Sequence, residues 1–561
     1  MTRRAPHPWE AAYPPGCRWD APITVGTLPD LFTRSVVRNG NRPALHYRAM
    51  RISYAELGRL VEQAAAAFRH LGVGPGHSVA LYLPNTPWHP VCFFALLRLG
   101  ARVVHLSALD ARRELAHKLS DSGARLVVTT DFPNLMPQAA WLLETGAAAR
   151  VLVGEDAIWG GDAATASPPG CVSLSSAMAE APAVTEWPRV APDDVALLQY
   201  TGGTTGMPAG ALLTHGNLTA AVSIYQQWED GERLVPGEQR VLGVLPLFHI
   251  YALTSVLLRH LADGNEILLR PRFDAEAVLR DIAEHRVTLF PGVPTMWIAL
   301  LNHPASRGAD FSSLHACVSG GAPLPFEVAQ QVERLLGQRL RNGWGMTETA
   351  PAGTRVPMAA EPRPGLIGVP LPGIRLRIVS LDDPGRELPA GEIGEIAIRG
   401  PNLFRGYWNK PAETEAAFRD GWFLTGDLGR LEQDGLFTLL DRRKNLIISG
   451  GFNVYPAAVE AALYEHPAIR EAIVIGIPDA YRGQSAKAFV TLREGAPELT
   501  LDGLKEFLRD RVGRHEIPAA LEIRPALPRS PAGKLLASAL VAEERARAAG
   551  AQGAAAPNEP A

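Results

Sequence analysis

The sequence predicts an α/β protein in which helices cover parallel sheets, with a small antiparallel β unit late in the chain and a separate small α/β domain after it. Three observations carry that expectation. Short β-branched or apolar runs alternate with helical patterns over most of the 561 residues, as strand–helix–strand units do. Residues from about 365 to 440 change character, becoming rich in Gly and Pro with short alternating strands. At "DRRKN" (441–445) the pattern resets, and about 120 residues remain, enough for a domain of their own.

Taken in order, residues 54–71 place apolar side chains three and four apart and predict a helix, as do 112–122. Strands are expected at "SVALYLP" (78–84), "ARVVHL" (101–106), "ARLVVTT" (124–130), "VALLQY" (195–200), "RVLGVLP" (240–246), "NEILLRP" (265–271) and "VTLFPGVP" (287–294). "IRLRIVS" and "GEIAIRG" supply the antiparallel unit. After the reset, "PAAVEAALYEHP" and "LDGLKEFLRDRV" read as helices, and "REAIVIGIP" and "AKAFVTLRE" as strands. The division expected is 1–440, a hinge at 441–446, a small domain at 447–545 and a disordered low-complexity tail at 546–561.

A chain this long exceeds one compact core. Hydrophobic residues make up 47% and charged residues 20%, with a net charge of -3, a composition that gives no electrostatic case for nucleic acid. The four cysteines stand singly and suggest neither a zinc site nor a disulfide framework. "VCFFALLRL" (91–99) is too short to span a bilayer. The N-terminus has two arginines without an apolar stretch behind them, so no secretory signal is expected and the location expected is cytoplasmic. Only six of the 55 basic residues are lysines, which draws attention to each.

"QYTGGTTGMPAGALLTHGNL" (199–218) follows an apolar strand and crowds glycines and threonines into Thr201–Gly206. Glycines let backbone N–H groups converge on an anion and threonine hydroxyls add donors, so such a loop can cradle phosphates. It is not a Walker A loop, because Gly202 and Gly203 are not followed by Gly-Lys-Ser/Thr at the required spacing. By itself the stretch also has the composition of a plain surface turn.

Further segments resolve that ambiguity. "YTGGTTGMPAG" resembles the phosphate loop of the adenylate-forming superfamily of acyl-CoA synthetases, luciferases and peptide-synthetase adenylation domains. "LPLFHIYAL" (245–253), "SGGAPL" (319–324), "NGWGMTET" (342–349), "GWFLTGDLG" (421–429), "DRRKNLIISGGFNVYP" (441–456) and "PRSPAGKL" (528–535) resemble its other motifs, in its order. The resemblance implies a large N-terminal domain of two β/α subdomains plus a β-barrel-like unit, and a small mobile C-terminal domain. It implies activation of a carboxylate by ATP to an acyl-adenylate with release of pyrophosphate, then acyl transfer to coenzyme A.

The resemblance also implies roles, residue by residue. Thr201, Gly202, Gly203, Thr204, Thr205 and Gly206 would cradle phosphates, and Gly320, Gly321 and Ala322 would lie along the adenine edge. Trp344 would offer its ring face to adenine, followed by Gly345 and Met346. Thr347 would donate to the α-phosphate, and Glu348 would ligate Mg²⁺, a hard cation that takes oxygen donors. Asp427 would accept from the ribose hydroxyls beside Arg442. Lys534 would be the catalytic lysine bridging carboxylate and phosphate, where fixed positive charge stabilises the anionic transition state. His249 would stand at the mouth of the acyl pocket, lined near Ile250–Thr254, Trp297 and Ala350–Gly353. Lys444 would be the hinge, with Gly450 and Gly451 along the coenzyme A route.

One departure stands out: Ala209 occupies a position where the family usually carries lysine, which should weaken ATP binding or slow adenylation without changing the reaction. Among family branches, "QYTGGTTG", "GWGMTET", "ISGGFNVYP" and "PWEAAYPPG" most resemble bacterial medium- and long-chain fatty acid–CoA ligases and dicarboxylate (pimeloyl)-CoA ligases. Alternatives are an acyl-AMP ligase loading a carrier protein, a luciferase-like oxygenase, and a binding relative impaired by Ala209. "PRSPAGK" resembles the context in which acetyltransferases modify the catalytic lysine, so a lysine acetyltransferase and deacetylase are expected partners acting at Lys534.

Overall fold

The computed structural model describes residues 6–161, 165–201, 208–228, 234–449, 452–479, 481–530 and 533–553. Two seven-stranded sheets carry most of the chain. The first runs Val172–Ser173, Arg150–Gly154, Leu126–Thr130, Ser78–Leu81, Arg102–His105, Val195–Thr201, Ala209–Thr214. The second runs Leu340–Asn342, Ala316–Ser319, Leu289–Gly292, Arg240–Gly243, Glu266–Leu269, Pro43–Tyr47, Met50–Ser53. Both share one spatial plan. Five parallel strands stand in the order fifth, fourth, third, first, second, and a pair of strands antiparallel to each other closes one edge. The strands expected from sequence all form, as do helices Tyr54–His70 and Arg112–Ser122.

Local chemistry explains the element boundaries. Helix Tyr54–His70 opens with reciprocal bonds: the Ser53 hydroxyl accepts from Glu56 N at 3.2 Å, and the Glu56 carboxylate accepts from Ser53 N at 2.9 Å. Helix Trp88–Arg98 contains the apolar run that is too short for a bilayer, and its Trp88, Phe93 and Phe94 lie in the core. It is apolar on every side because the surrounding protein is its solvent. Among the described residues no helix is long and apolar enough to cross a membrane, and the four cysteines are free thiols.

The antiparallel unit runs Thr354–Arg355, Leu366–Pro370, Phe437–Arg442, Trp422–Leu431, Gly394–Arg399, Arg375–Val379, with Phe418–Arg419 paired to Trp422–Leu431. The last sheet runs Phe452–Val454, Ile447–Ser449, Gly483–Leu492, Ile469–Asp479, with Ala520–Ile523 parallel to Gly483–Leu492. Helices Pro456–Tyr464, Leu501–Leu508 and Ala537–Gly553 accompany it. The final helix continues to Gly553, past residue 546 where the tail was expected to begin. Alanine, with one Arg and one Gln, makes up most of residues 546–553, and all three are strong helix formers.

Candidate active site

The site grows from the carboxyl ends of parallel strands, where ligands of open α/β sheets bind. Val195–Thr201 ends at Thr201, whose partner across the base of the loop is Ala209. Gly202, Gly203, Thr204, Thr205 and Gly206 lie outside the described residues, as do Gly450 and Gly451. Strand Ala316–Ser319 leads to Gly320, Gly321 and Ala322. At Gly320 a Cβ would come within 2.9 Å of the Tyr251 ring, so glycine there lets that ring close over the turn. Strand Leu340–Asn342 leads to Trp344 and the single turn Thr347–Thr349.

Asp427 is the centre of the polar network and is almost fully buried. Its Oδ2 accepts from Trp344 Nε1 at 2.7 Å, and its Oδ1 pairs with Arg442 Nε at 2.9 Å. The second contact follows from the sheet, which sets Asp427 directly opposite Arg442. Trp344 is buried too, and it reaches Asp427 with its edge. That edge contact supplements the face-on role expected for it.

Glu348 is buried, and its Oε1 accepts from the Tyr407 hydroxyl at 2.9 Å. Burial raises its pKa, opposed by its own backbone N–H, Tyr407 and Arg442. The turn carrying it is fixed from outside. Asn402 Nδ2 donates to the Ala352 carbonyl at 2.8 Å and Phe404 N donates to the Glu348 carbonyl at 2.9 Å. Asn402 and Tyr407 escape a sequence reading, because nothing local in "PNLFRGYW" pairs them with residues some fifty positions earlier. Among the described residues no three His, Cys, Asp or Glu side chains cluster as a metal cage. A lone buried carboxylate is nonetheless the donor Mg²⁺ uses alongside substrate phosphates.

Lys534 reaches this network from the last domain. Its loop is cross-tied, with Lys534 N donating to Ser530 Oγ at 3.1 Å and Leu536 N to the Pro528 carbonyl at 2.8 Å. Arg529 pairs with Glu471 and ties the loop to strand Ile469–Asp479. Gly533 has φ +79 and packs towards Thr295 Oγ1, which lies 3.2 Å from where a Cβ would sit. Both features favour glycine there.

The Lys534 side chain is exposed to solvent. Desolvation lowers its pKa, Arg442 adds to the lowering, and Asp427 and Glu460 oppose it. Lys444 is also accessible, and desolvation, Arg442 and Lys534 lower its pKa to about 8. Because both amines remain open to water, the screening there limits these effects.

His249 caps its own short helix, with Nδ1 accepting from Tyr251 N at 3.2 Å. The ring proton therefore sits on Nε2. Burial and the charge of Lys534 lower its pKa to about 4, so the imidazole is neutral at physiological pH. After it the chain enters a π-helical stretch, Leu253–Leu258, a geometry that often marks functional sites and that no sequence periodicity announced. Ile250, Ala252, Leu253, Thr254, Trp297, Ala350 and Ala352 are all buried.

The structure thus brings Lys534, Asp427, Arg442, Lys444, Trp344, Glu348 and His249 into one electrostatic neighbourhood. Thr347 stands beside Glu348 in the same turn, with Gly345 and Met346 leading into it.

Comparisons with known proteins show the family. The model of the AMP-binding enzyme family matches residues 32–408, and that of the AMP-binding enzyme C-terminal domain matches residues 458–534. A long-chain-fatty-acid–CoA ligase of Bacillus subtilis is 36% identical over 557 residues, covering 96% of this chain and 98% of its own length. A feruloyl-CoA synthase of Amycolatopsis is 38% identical over 496 residues, covering 88% and 94%. Among solved structures, ATP-bound MatB from Rhodopseudomonas palustris superposes with a TM-score of 0.80 at 29% identity, covering 92% of this chain and 99% of that one.

Proposed function

The chain belongs to the AMP-binding enzymes and is an AMP-forming acid–thiol ligase; on that premise we propose that it activates a medium- or long-chain fatty acid and transfers it to coenzyme A. The observation that carries the reading is Lys534, which from the last domain interacts electrostatically with Asp427, Arg442 and His249. A carboxylate is a poor electrophile because oxide cannot leave. Its oxygen attacks the α-phosphorus of ATP, the bond to the bridging oxygen breaks, and pyrophosphate departs. The coenzyme A thiol then gives up its proton and attacks the acyl carbon, expelling AMP.

In the first step negative charge gathers on the α-phosphoryl oxygens, where fixed cations contribute most. Lys534 and the donors of Thr347 and the phosphate loop would supply that stabilisation, Asp427 and Arg442 would orient the ribose, and Glu348 would hold Mg²⁺. The buried apolar side chains beyond His249 favour an alkyl chain over an amino acid, whose ammonium would need a buried partner. We read 1–440 as the adenylating domain, 441–446 with Lys444 as the hinge, and 447–545 as the mobile domain, in a cytoplasmic enzyme. The exposure of Lys534 also suits a lysine acetyltransferase, which would remove its charge.

A second substrate class has its own support. Among the described residues the buried Tyr251 hydroxyl has no hydrogen-bond partner, and Arg355 acts on it electrostatically. An acid with a distal polar group, aromatic or dicarboxylic, would give that hydroxyl a partner. The test is AMP release from ATP and Mg²⁺ across alkanoic, dicarboxylic and phenylpropenoic acids, with and without coenzyme A. Coenzyme A-dependent AMP with alkanoic acids supports the first reading, and the same with only polar-ended acids supports the second. AMP formation indifferent to free coenzyme A would point to carrier loading. No AMP with any acid would overturn the assignment and leave a binding relative impaired at Ala209.

A further inference from the structure

We propose that Gln199 is a positioning residue for the adenylation step: its side-chain amide ties the strand that enters the phosphate loop to the loop that carries His249. Gln199 lies on Val195–Thr201, two residues before Thr201, and is 6% exposed. Its Nε2 donates to the Phe248 carbonyl at 2.9 Å, immediately before His249. Its Oε1 lies 3.1 Å from His105 Nδ1 on the neighbouring parallel strand.

The amide orientation is forced, because a carbonyl only accepts, so the NH₂ faces Phe248 and the oxygen faces His105. His105 must then carry its proton on Nδ1. Burial keeps that ring neutral, with its pKa lowered to about 4. Among the described residues, His105 Nε2 and both nitrogens of the adjacent His89 ring have no partner. The bond to Gln199 is therefore the directional polar contact that fixes His105.

The other end of the His249 loop is gripped in the same way. Asn85 Nδ2 donates to the Gly243 and Leu245 carbonyls at 3.0 and 2.8 Å, and Leu247 N donates to Asn85 Oδ1 at 2.8 Å. Two buried amides thus clamp a segment without regular structure between strand Arg240–Gly243 and the helix that begins at Ile250. Only Gln199 also belongs to the phosphate-loop strand. It sets the distance between the side chain at the acyl mouth and the loop that holds the nucleotide. Reacting groups must be aligned to within about 1 Å, and an error of that size costs on the order of a hundredfold in rate.

The proposal rests on the ligase reading, so its test separates the two. Gln199→Leu keeps the shape and removes both bonds. It should lower the adenylation rate at least about tenfold and raise KM for the acid more than KM for ATP. Transfer from supplied acyl-adenylate to coenzyme A should stay within about twofold. Equal rises in both KM values with a lowered melting temperature, or no change at all, would overturn the proposal. Should the variant misfold, the unaltered protein still decides. Selective ¹⁵N labelling should show His105, assigned by its loss in His105→Asn, as the Nδ1–H tautomer down to about pH 5. An Nε2–H tautomer would overturn the clamp even if the protein is the ligase proposed. If the protein forms no adenylate, the functional reading fails while the tautomer result stands on its own.

Discussion

Trp344 separates two ways in which an aromatic residue can serve a nucleotide. Its indole N–H donates to Asp427 at 2.7 Å, so the ring orients a carboxylate in addition to any stacking it offers. Trp344→Phe keeps an aromatic face and deletes the donor. It should raise KM for ATP at least about tenfold, since one hydrogen bond to a charged group is worth about 1.5 kcal/mol or more. An unchanged KM in steady-state titration would mean that the face alone matters. Lys534→Ala should be far more severe. Adenylation measured by pyrophosphate exchange should fall at least a hundredfold, as when a fixed transition-state donor is removed, while supplied acyl-adenylate is still converted to thioester.

At this scale the sequence singled out Glu348, Asp427 and Lys534 because each sits in a compact motif, and the fold brings these three into one electrostatic neighbourhood. The sequence was silent where function depends on partners far along the chain. Tyr407 meets Glu348 across 59 positions, and Gln199 meets Phe248 across 49; no spacing rule spans such gaps.

Elements show the same division. Strands and helices with clear periodicity form where alternation and heptad-like spacing place them, because burial of one face decides them. The π-helical stretch Leu253–Leu258 was hidden, since its apolar residues fit an ordinary buried helix equally well. The most consequential element contact is also hidden in sequence. Asp441 is the last residue but one of strand Phe437–Arg442, and its Oδ2 accepts from Ala457 N at 2.8 Å in the first turn of helix Pro456–Tyr464. Its Oδ1 accepts from Arg442 N at 2.6 Å and Asn445 Nδ2 at 3.2 Å. The bond to Ala457 spans the proposed hinge at Lys444, so rotation of the last domain must break it. Asp441→Ala should therefore slow adenylation more than thioester formation, by about tenfold, with both half-reactions followed separately by rapid quench. Equal losses in the two would show that the contact serves the fold alone and does not favour the adenylating arrangement. Lys444→Ala should show the opposite bias, slowing mainly the thioester step.

In the whole molecule the last domain carries its own pH dependence. Glu460, on helix Pro456–Tyr464, accepts from Val474 N at 2.8 Å. Burial, reinforced by Asp441, raises its pKa from 4.5 to about 8, against the pull of Val474 N–H and Lys534. A carboxyl with a raised folded pKa binds its proton more tightly folded than unfolded. Its contribution to stability is complete below pH 4.5 and is lost as pH climbs towards about 8. The loss is on the order of a few kcal/mol and falls on the small domain. A chain of several domains does not unfold in one step, so calorimetry should resolve that domain's transition from the rest. Its midpoint should drop by roughly 5 °C or more between pH 6 and pH 9. Glu460→Gln retains an acceptor for Val474 N–H and removes the titration, so its midpoint should be nearly flat over that window. If the variant keeps the full slope, the dependence lies elsewhere, and Glu460 would have to be ionised in the folded domain despite its burial. If the slope vanishes, the alkaline loosening of the domain that delivers Lys534 is assigned to ionisation of Glu460, whose carboxylate at the same time favours the charged form of that lysine.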